Sequence, residues 1–340
     1  SPMSHWIRSN CRLVVAAIVL WMGVQGCVGA ASVVATADAP VDTCPFQWAT
    51  RAGLPTARGY LAAAALPDGR VFAIGGWTNT GPTAAVDAYA PWTNTWQPAA
   101  SLSTGRNGLA AATVDGKIYA IGGYTTGVSN LVEAYDPATN TWSGRAALPT
   151  ARAQPAVVAV DGKIYAIGGR DGSSQALQTV EEYDPGTNAW RARAPMPTAR
   201  WGAAAAAGQN GRIYVFGGDT AEEYDPQTDT WRSVRAMPTA REGAAAVTGA
   251  DGRIYVFGGY HYASGWLATV EAYDPATDSW TTCAPLTLNR GYLAGARGAG
   301  SAFYALGGAR GGGLEFVATV EAARFPLPLK SYLPLIIRGG

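Results

Sequence analysis

Six tryptophans in this chain each precede an arginine by ten positions, and a Gly-Gly pair follows every arginine. The Trp and Arg positions are Trp48/Arg58, Trp96/Arg106, Trp142/Arg152, Trp190/Arg200, Trp231/Arg241 and Trp280/Arg290. The glycine pairs are Gly75-Gly76, Gly122-Gly123, Gly168-Gly169, Gly217-Gly218, Gly258-Gly259 and Gly307-Gly308. An internal period of roughly 40 to 50 residues is typical of a solenoid or a propeller, in which one small unit is repeated. The period therefore constrains the fold of most of the chain.

Each unit contains four short segments with strand character. In the second unit, residues 108–114 are small, Asp115-Gly116 is a typical hairpin turn, and residues 117–121 are apolar. Further strands are predicted at residues 131–135 and around Trp142. No segment of the repeats shows a sustained 3.6-residue apolar period, so we expect an all-β chain.

The first strand of each unit is rich in alanine and glycine, as in residues 61–65 and 203–207. Because alanine is a poor strand former, these residues need a positional reason. Strands that converge on a propeller axis have little room for large side chains. Trp-bearing strands would lie at the wide outer edge, where an indole fills the gap between blades. The pattern favours a radial arrangement of small sheets.

The recurring segments IYAIGG or IYVFGG, VEAYDP and MPTAR resemble the kelch repeat, from Phe46 to Phe325. The last unit has neither a Tyr-Asp-Pro turn nor a following Trp, whereas Trp48 precedes the first unit. We therefore predict a six-bladed kelch β-propeller. Residues 46–48 would supply the outer strand of the last blade by pairing with residues 320–324, which leaves no open edge.

The N-terminal residues resemble an export signal. Two arginines precede an apolar stretch, residues 13–24, which is too short to span a membrane. Ala35-Thr36-Ala37 would suit a signal peptidase, and residues 24–27 resemble a lipobox that would make Cys27 a lipid anchor. Both alternatives predict export, to the periplasm, the cell surface or the medium, with residues 1–37 as export segment and residues 38–325 as propeller.

Residues 326–340 leave the repeat pattern and are rich in proline and leucine. They resemble the short Tyr-Leu-Pro-Leu tails of some exported bacterial proteins, for which surface attachment is implied. The alternative is an apolar strap packed over a blade.

Charge and histidine content argue against several functional classes. Residues 1–37 contain two of the 25 basic residues and none of the 24 acidic ones, so the net charge of residues 38–340 is close to zero. Neutrality argues against nucleic acid as a partner. His261 is the one histidine beyond residue 37, and no G-x-S-x-G segment occurs. We therefore expect no metal site, no cofactor and no Ser-His-Asp triad.

Two cysteines, Cys44 and Cys283, lie beyond the export segment. Export would place them in an oxidising compartment, where disulfides form. In a propeller they belong to the sixth and fifth blades and fall toward opposite ends of the outer strands. A disulfide between them stays open, but this placement argues against it.

The repeated arginines are the first candidate ligand contacts. They are Arg58, Arg106, Arg152, Arg200, Arg241 and Arg290. Each precedes the innermost strand on the face where the loops after the glycine pairs emerge, so their guanidinium groups are expected at the channel mouth. Arginine suits carboxylates. In those kelch proteins that bind acidic peptides, arginines at this position and nearby do the binding, so the resemblance implies an anionic ligand. Arg152, Arg200 and Arg241 flank the shortest loop and should be the most accessible.

The same arginines have a structural alternative. Each unit carries an acid at the same position of its third strand, namely Asp87, Glu133, Glu181, Glu222, Glu271 and Glu321. Six acids matching six arginines would neutralise them inside the blades. Both alternatives stay open at this point, because a sequence does not report the direction of a side chain.

The loops after the glycine pairs supply the second set of candidate ligand contacts. They are Trp77, Tyr124, Arg170, Asp219, Tyr260, Tyr262, Trp266 and Arg310. The fourth unit has three residues between Gly218 and Glu222, whereas the fifth has an eleven-residue loop, 260–270. The loop face should therefore be low at blade four, with Tyr260, Tyr262 and Trp266 as a wall beside it.

These features favour an exported, non-catalytic propeller that binds a protein, peptide or glycan, anionic by resemblance, at the loop face of the channel. One alternative is a carbohydrate-active enzyme resembling the kelch-fold N-acetylneuraminate epimerases. Another is a structural or adhesive surface protein, and the fold alone does not choose among them. An unpaired arginine beside a carboxylate of raised pKa would favour the enzyme, and an aromatic rim would favour binding.

Overall fold

The computed structural model describes residues 44–312 and 314–325, which form six four-stranded antiparallel sheets and no helix. The export segment predicted at residues 1–37 and the tail at 326–340 lie outside the described residues, so both stay predictions. None of the described segments is a helix long and apolar enough to cross a membrane.

Each four-stranded sheet is one blade, and in blades I to V its four strands follow chain order from the axis outwards. The first strand of the described residues is β1 (Trp48–Arg51). Blade I follows with β2 (Ala62–Ala65), β3 (Val71–Ile74), β4 (Trp77–Thr78), β5 (Gly81–Pro82), β6 (Val86–Ala90) and β7 (Thr95–Ala99). Blade II contains β8 (Ala110–Val114), β9 (Lys117–Ile121), β10 (Val132–Asp136) and β11 (Thr141–Gly144). Blade III contains β12 (Ala156–Val160), β13 (Lys163–Ile167), β14 (Val180–Asp184) and β15 (Ala189–Arg193).

The second half of the ring repeats this plan. Blade IV contains β16 (Ala204–Ala207), β17 (Ile213–Gly217), β18 (Thr220–Asp225) and β19 (Thr230–Val234). Blade V contains β20 (Ala245–Thr248), β21 (Ile254–Phe257), β22 (Tyr260–His261), β23 (Gly265–Trp266), β24 (Val270–Asp274) and β25 (Ser279–Cys283). Blade VI contains β26 (Ala294–Arg297), β27 (Ala302–Leu306), β28 (Ala309–Arg310), β29 (Glu315–Phe316) and β30 (Val320–Arg324). The pairs β4–β5, β22–β23 and β28–β29 are short ribbons on the loop face.

An N-terminal strand completes blade VI. β1 pairs antiparallel with β30, with Trp48 opposite Ala323 and Arg51 opposite Val320. The inner strands of successive blades contact each other around the axis, and β26 contacts β2. The predicted six-bladed propeller and its closure are thus confirmed. The paired segment starts at Trp48, and Phe46 instead packs into the core beside it.

The core lies between the blades, as six apolar clusters at the six junctions of the described ring. At every junction the indole Nε1 of the outer-strand tryptophan donates a hydrogen bond to a carbonyl of the preceding blade. The donor and acceptor residues are Trp48 and Ala284, Trp96 and Ala52, Trp142 and Ala100, Trp190 and Ala146, Trp231 and Ala194, and Trp280 and Arg235. The outer tryptophans therefore join neighbouring blades, as the sequence predicts.

Five junctions add a tyrosine and an Asn or Asp to this tryptophan bond. Between blades I and II, Asn140 Oδ1 accepts from the Tyr135 hydroxyl at 2.8 Å and from the Ala100 amide at 2.9 Å. The junction between blades V and VI differs, because the residue opposite Trp48 is Ala323 rather than a tyrosine. Phe46 lies two residues before Trp48. The Phe46 ring packs edge-on against other aromatic rings there, which fills the space that the tyrosine occupies elsewhere.

A disulfide between Cys44 and Cys283 fastens this last junction, with the two Cα atoms 5.2 Å apart. The expectation against this disulfide was therefore wrong. It assumed that the two cysteines lie at opposite ends of adjacent outer strands. The bond from Trp48 to Ala284 shows instead that the start of β1 lies against the end of β25. The disulfide secures the closing strand across a sequence separation of 239 residues.

Candidate functional site

The six repeated arginines lie inside the blades and are paired with the acids of the third strands. The pairs are Arg58–Asp87 at 2.6 Å, Arg106–Glu133 at 2.7 Å, Arg152–Glu181 at 2.5 Å, Arg200–Glu222 at 2.6 Å, Arg290–Glu321 at 2.5 Å, and Arg241–Glu271. The arginines are 0% to 7% exposed. These contacts support the structural alternative and correct the expectation that the guanidinium groups face a ligand. We assign none of the six to ligand binding.

Arg106 shows what these arginines do. Besides Glu133, its guanidinium donates to the carbonyls of Ala120, Gly122 and Leu131, at 3.3, 3.0 and 2.9 Å. Burial lowers the pKa of Arg106, and the charge of Glu133 opposes that shift. An arginine side chain nonetheless stays charged in a protein. The pair therefore holds the end of β9 to the start of β10.

Two residues after each arginine, the backbone forms a closed ring around the channel, which we call the axial ring. Its members are Tyr60, Gly108, Gln154, Gly202, Gly243 and Tyr292. The amide of each member donates to the carbonyl of the member in the preceding blade, with N···O distances from 2.6 to 3.1 Å. All six have φ between +49° and +62°. The bonds run head to tail, so the ring satisfies its own inward-facing backbone groups.

Three members of the axial ring carry side chains in a conformation that favours glycine. These are Tyr60, Gln154 and Tyr292, and the left-handed region costs an L-residue roughly 1–2 kcal/mol. Their neighbours make room for them. A Cβ on Gly243 would lie 2.7 Å from the Tyr292 ring, and one on Gly108 would lie 3.0 Å from Gln154 Cγ. Strained backbone of this kind tends to cluster at functional sites.

These side chains line the mouth cavity, a space of about 500 Å³ at the loop-face end of the channel. Its lining residues are Tyr60, Trp77, Thr78, Asn79, Asn107, Gln154, Arg170, Trp201, Tyr292, Leu314 and Phe316. The Tyr60 and Tyr292 rings stack with centroids 4.2 Å apart and planes 17° apart. The wall is therefore rigid and largely aromatic.

Two polar groups in the mouth cavity are available to a ligand. The Arg170 guanidinium lies 5.7 Å from the centre of the Trp201 ring and has no carboxylate partner among residues 44–312 and 314–325. Gln154 is 8% exposed, and its buried Oε1 has no hydrogen-bond partner in that same part of the chain. A buried polar atom without a partner is costly unless a ligand or water satisfies it.

A second cavity, the blade IV groove, has a volume of about 420 Å³. It opens where β17 and β18 are joined by Gly218-Asp219 alone, as the short fourth loop predicts. Tyr260 and Tyr262 line its side toward blade V. Trp266, predicted as part of this wall, does not line the groove but packs against Tyr260, with ring centroids 5.1 Å apart. Its Nε1 donates to the Gly311 carbonyl at 3.0 Å.

Glu242 and Tyr292 connect the two cavities. Glu242 lines the groove, Tyr292 lines the mouth cavity, and the Tyr292 hydroxyl donates to Glu242 Oε1 at 3.0 Å. Burial raises the pKa of Glu242, and the hydrogen bond from Tyr292 opposes that shift. Burial and the charge of Glu242 both raise the pKa of Tyr292. No group of three or more potential metal-ligating side chains occurs among the described residues.

Comparison with known proteins identifies the repeat. The kelch motif matches residues 58–103 and 105–148, and the KLHDC2/KLHL20/DRC7 kelch-repeats domain matches residues 154–317. The chain belongs to the kelch-repeat family. Kelch-like ECH-associated protein 1B of Danio rerio is 39% identical over 83 residues, which are 23% of this chain and 14% of that protein. The match thus spans a small part of that relative's length.

Solved structures agree with this fold. The structure of YjhT superposes with a TM-score of 0.68 at 17% identity and covers 79% of this chain and 95% of that one. At this identity the likeness shows the fold alone.

The loop residues predicted for this kelch-repeat protein divide into three groups. Trp77 and Arg170 line the mouth cavity, and Asp219, Tyr260 and Tyr262 line the blade IV groove. Tyr124, Trp266 and Arg310 line neither cavity. Arg310 is paired with Glu315 at 3.1 Å.

The sequence analysis missed five residues that shape the two cavities: Tyr60, Gln154, Trp201, Glu242 and Tyr292. Each follows a repeated arginine by one or two positions. Three of the six repeats have glycine two residues after the arginine, whereas the others have Tyr, Gln and Tyr. The replacement of that glycine by Tyr60, Gln154 and Tyr292 was the sequence signal that could have identified these three residues.

Proposed function

We propose that this kelch-repeat protein is a binding propeller that holds a glycan, or another polar organic ligand with a negative charge, in the mouth cavity. The carrying observation is a cavity rich in aromatic residues, in which one arginine has no acid partner and one buried amide oxygen has no donor among the described residues. Ligand sites are typically concave, mostly apolar, and oriented by a few polar groups. Arg170 would pair with a carboxylate, and Gln154 would accept from a hydroxyl or amide of the ligand.

We also propose that the protein is exported. The Cys44–Cys283 disulfide supports this proposal, since disulfides persist mainly in oxidising compartments. Alkylation of free thiols in protein isolated from its source without reductant tests it. Labelling of Cys44 and Cys283 would show that both are reduced and would count against export.

A screen of the protein against an array of glycans and organic anions tests the binding proposal. Arg170→Ala should weaken the best ligand about tenfold or more, because it removes a charge-assisted hydrogen bond. Arg310→Ala is the matched control, since Arg310 lies on the same face but lines neither cavity. Equal loss in both variants, or no ligand on the array, would contradict the proposal.

A second candidate function, acid–base catalysis on a bound sugar, is favoured by the Glu242–Tyr292 pair. A carboxyl of raised pKa that is hydrogen-bonded to a tyrosine has the form of a general acid or base. Incubation with N-acetylneuraminic acid, followed by NMR, tests it. Turnover that Glu242→Gln abolishes would favour this function, and no turnover by the unaltered protein would reject it.

A further inference from the structure

The blade IV groove is a separate cavity that shares one lining residue, Trp201, with the mouth cavity. Its floor comes from blade IV, where no ribbon covers the turn at Gly218-Asp219. Tyr260 and Tyr262 line it from blade V, with their rings 5.9 Å apart and nearly perpendicular. Tyr262 is 80% exposed and Tyr260 is partly buried.

The unpaired charge in this groove is negative. Two arginines line it, Arg200 and Arg241, but each is neutralised by its buried acid. Two acids also line it. Asp219 makes no salt bridge or hydrogen bond within the described residues, although its charge opposes the lowering of the Arg200 pKa that burial causes. Glu242 there accepts a single hydrogen bond from the uncharged Tyr292. Burial raises the pKa of Glu242, as expected for a carboxylate without a compensating cation.

We propose that the blade IV groove is a second binding site, which takes a positively charged organic group, a primary ammonium or a guanidinium. Glu242 and Asp219 supply charge-assisted acceptors. The face of Tyr260 or Trp201 supplies cation–π attraction, and Trp201 already contacts one cation, Arg170, in this way. A groove of about 420 Å³ admits an alkyl chain with a charged end.

The charged group can come from a free amine or from a lysine or arginine side chain of a peptide. Two probes distinguish these sources: n-butylammonium, and N-acetyl-lysine methylamide, which adds a peptide backbone to a similar alkylammonium. N-acetyl-norleucine methylamide is the uncharged control, because it keeps the backbone and lacks the ammonium. Tighter binding of the lysine probe than of n-butylammonium assigns the site to a peptide, and equal affinity assigns it to a free amine.

Calorimetric titration of the full chain near neutral pH tests the proposal. Both cationic probes should bind, and the norleucine probe should bind about tenfold more weakly than the lysine probe. Glu242→Gln, of nearly the same shape, should weaken the lysine probe about tenfold. Asp219→Asn should weaken it less, because Asp219 is exposed and better screened. The matched control is Glu315→Gln, an exposed acid on the same face outside the groove, and it should change nothing.

Two results would overturn the proposal: equal binding of the norleucine probe, or undiminished binding in the Glu242→Gln/Asp219→Asn double variant. Asp219→Asn alone keeps the test valid if the Glu242 variant does not fold, because an exposed turn residue is dispensable for packing. Arg170→Ala should not weaken the cationic probes, since Arg170 does not line the groove. The variants therefore distinguish an absence of binding in the groove from an absence of binding in the mouth cavity.

Discussion

At the scale of single residues, position along the repeat separates structural from functional side chains. Arg152 donates to Glu181 and to the carbonyls of Gly168 and Thr179, and it is fully buried. Gln154, two residues later, keeps an amide oxygen without a partner in the described chain. The arginines hold the strands of each blade together, whereas residues one or two positions after them line the cavities.

Removing one member of a buried ion pair is predicted to destabilise the fold. Arg152→Met should lower the free energy of unfolding by about 3–5 kcal/mol, because Glu181 is left as an uncompensated buried charge. The double variant Arg152→Met/Glu181→Leu should recover much of that loss, as apolar replacements of buried pairs often do. Chemical denaturation measures both. A single variant as stable as the unaltered protein would contradict this role.

Glu242 is predicted to contribute a pH-dependent instability. Its folded pKa is raised above its unfolded value, so the folded state binds the proton more tightly. The bound proton therefore stabilises the folded state. This contribution to the free energy of unfolding is complete below the unfolded pKa and is lost as pH rises through the folded pKa. The Glu242→Gln variant has no ionisable group at this position, so its melting temperature should rise relative to that of the unaltered protein as the pH is raised from below the ordinary pKa of glutamate to alkaline values. A constant difference across this range would show that the folded pKa is not raised.

At the scale of elements, the closing strand is the least repetitive part of the ring and depends on specific packing. β1 is held to β30 by strand pairing, to blade V by the Trp48 indole, and to β25 by the disulfide. Among the described residues, neither a Tyr–Asn nor a Tyr–Asp pair supports this junction, in contrast to the other five. The disulfide and Phe46 take over that function.

Loss of the Trp48 side chain is predicted to open the ring. Trp48→Ala should cost about 3–5 kcal/mol, since it removes a large ring and an inter-blade hydrogen bond. Trp92→Ala is the matched control, because Trp92 is 66% exposed in a turn and should change stability little. Equal melting temperatures for all three proteins would show that β1 does not hold the ring closed.

Repeated elements were predictable from the sequence, and the exceptions to the repeat were not. The Trp and Gly-Gly positions predict the number of blades, and the missing last Trp predicts that an N-terminal strand closes the ring. The disulfide was missed because strand twist decides which ends of neighbouring outer strands meet. The axial ring was missed because hydrogen bonds between blades, rather than local sequence preference, hold Tyr60, Gln154 and Tyr292 at positive φ.

At the scale of the whole described ring, both cavities open on the loop face, and this face is lowest at blade IV. The mouth cavity offers the cation of Arg170, whereas the groove offers the carboxylates of Glu242 and Asp219. The two sites touch at Trp201 and at the bond between Glu242 and Tyr292.

The central claim is that the mouth cavity binds a ligand, and the most direct test is calorimetry of the best array ligand with a double variant, Gln154→Gly/Trp77→Ala. Three axial-ring members are already glycine, and Trp77 is 37% exposed, so the fold should tolerate both changes. We predict that the melting temperature stays within a few degrees while affinity falls at least about tenfold. Unchanged affinity in a folded double variant would contradict the claim.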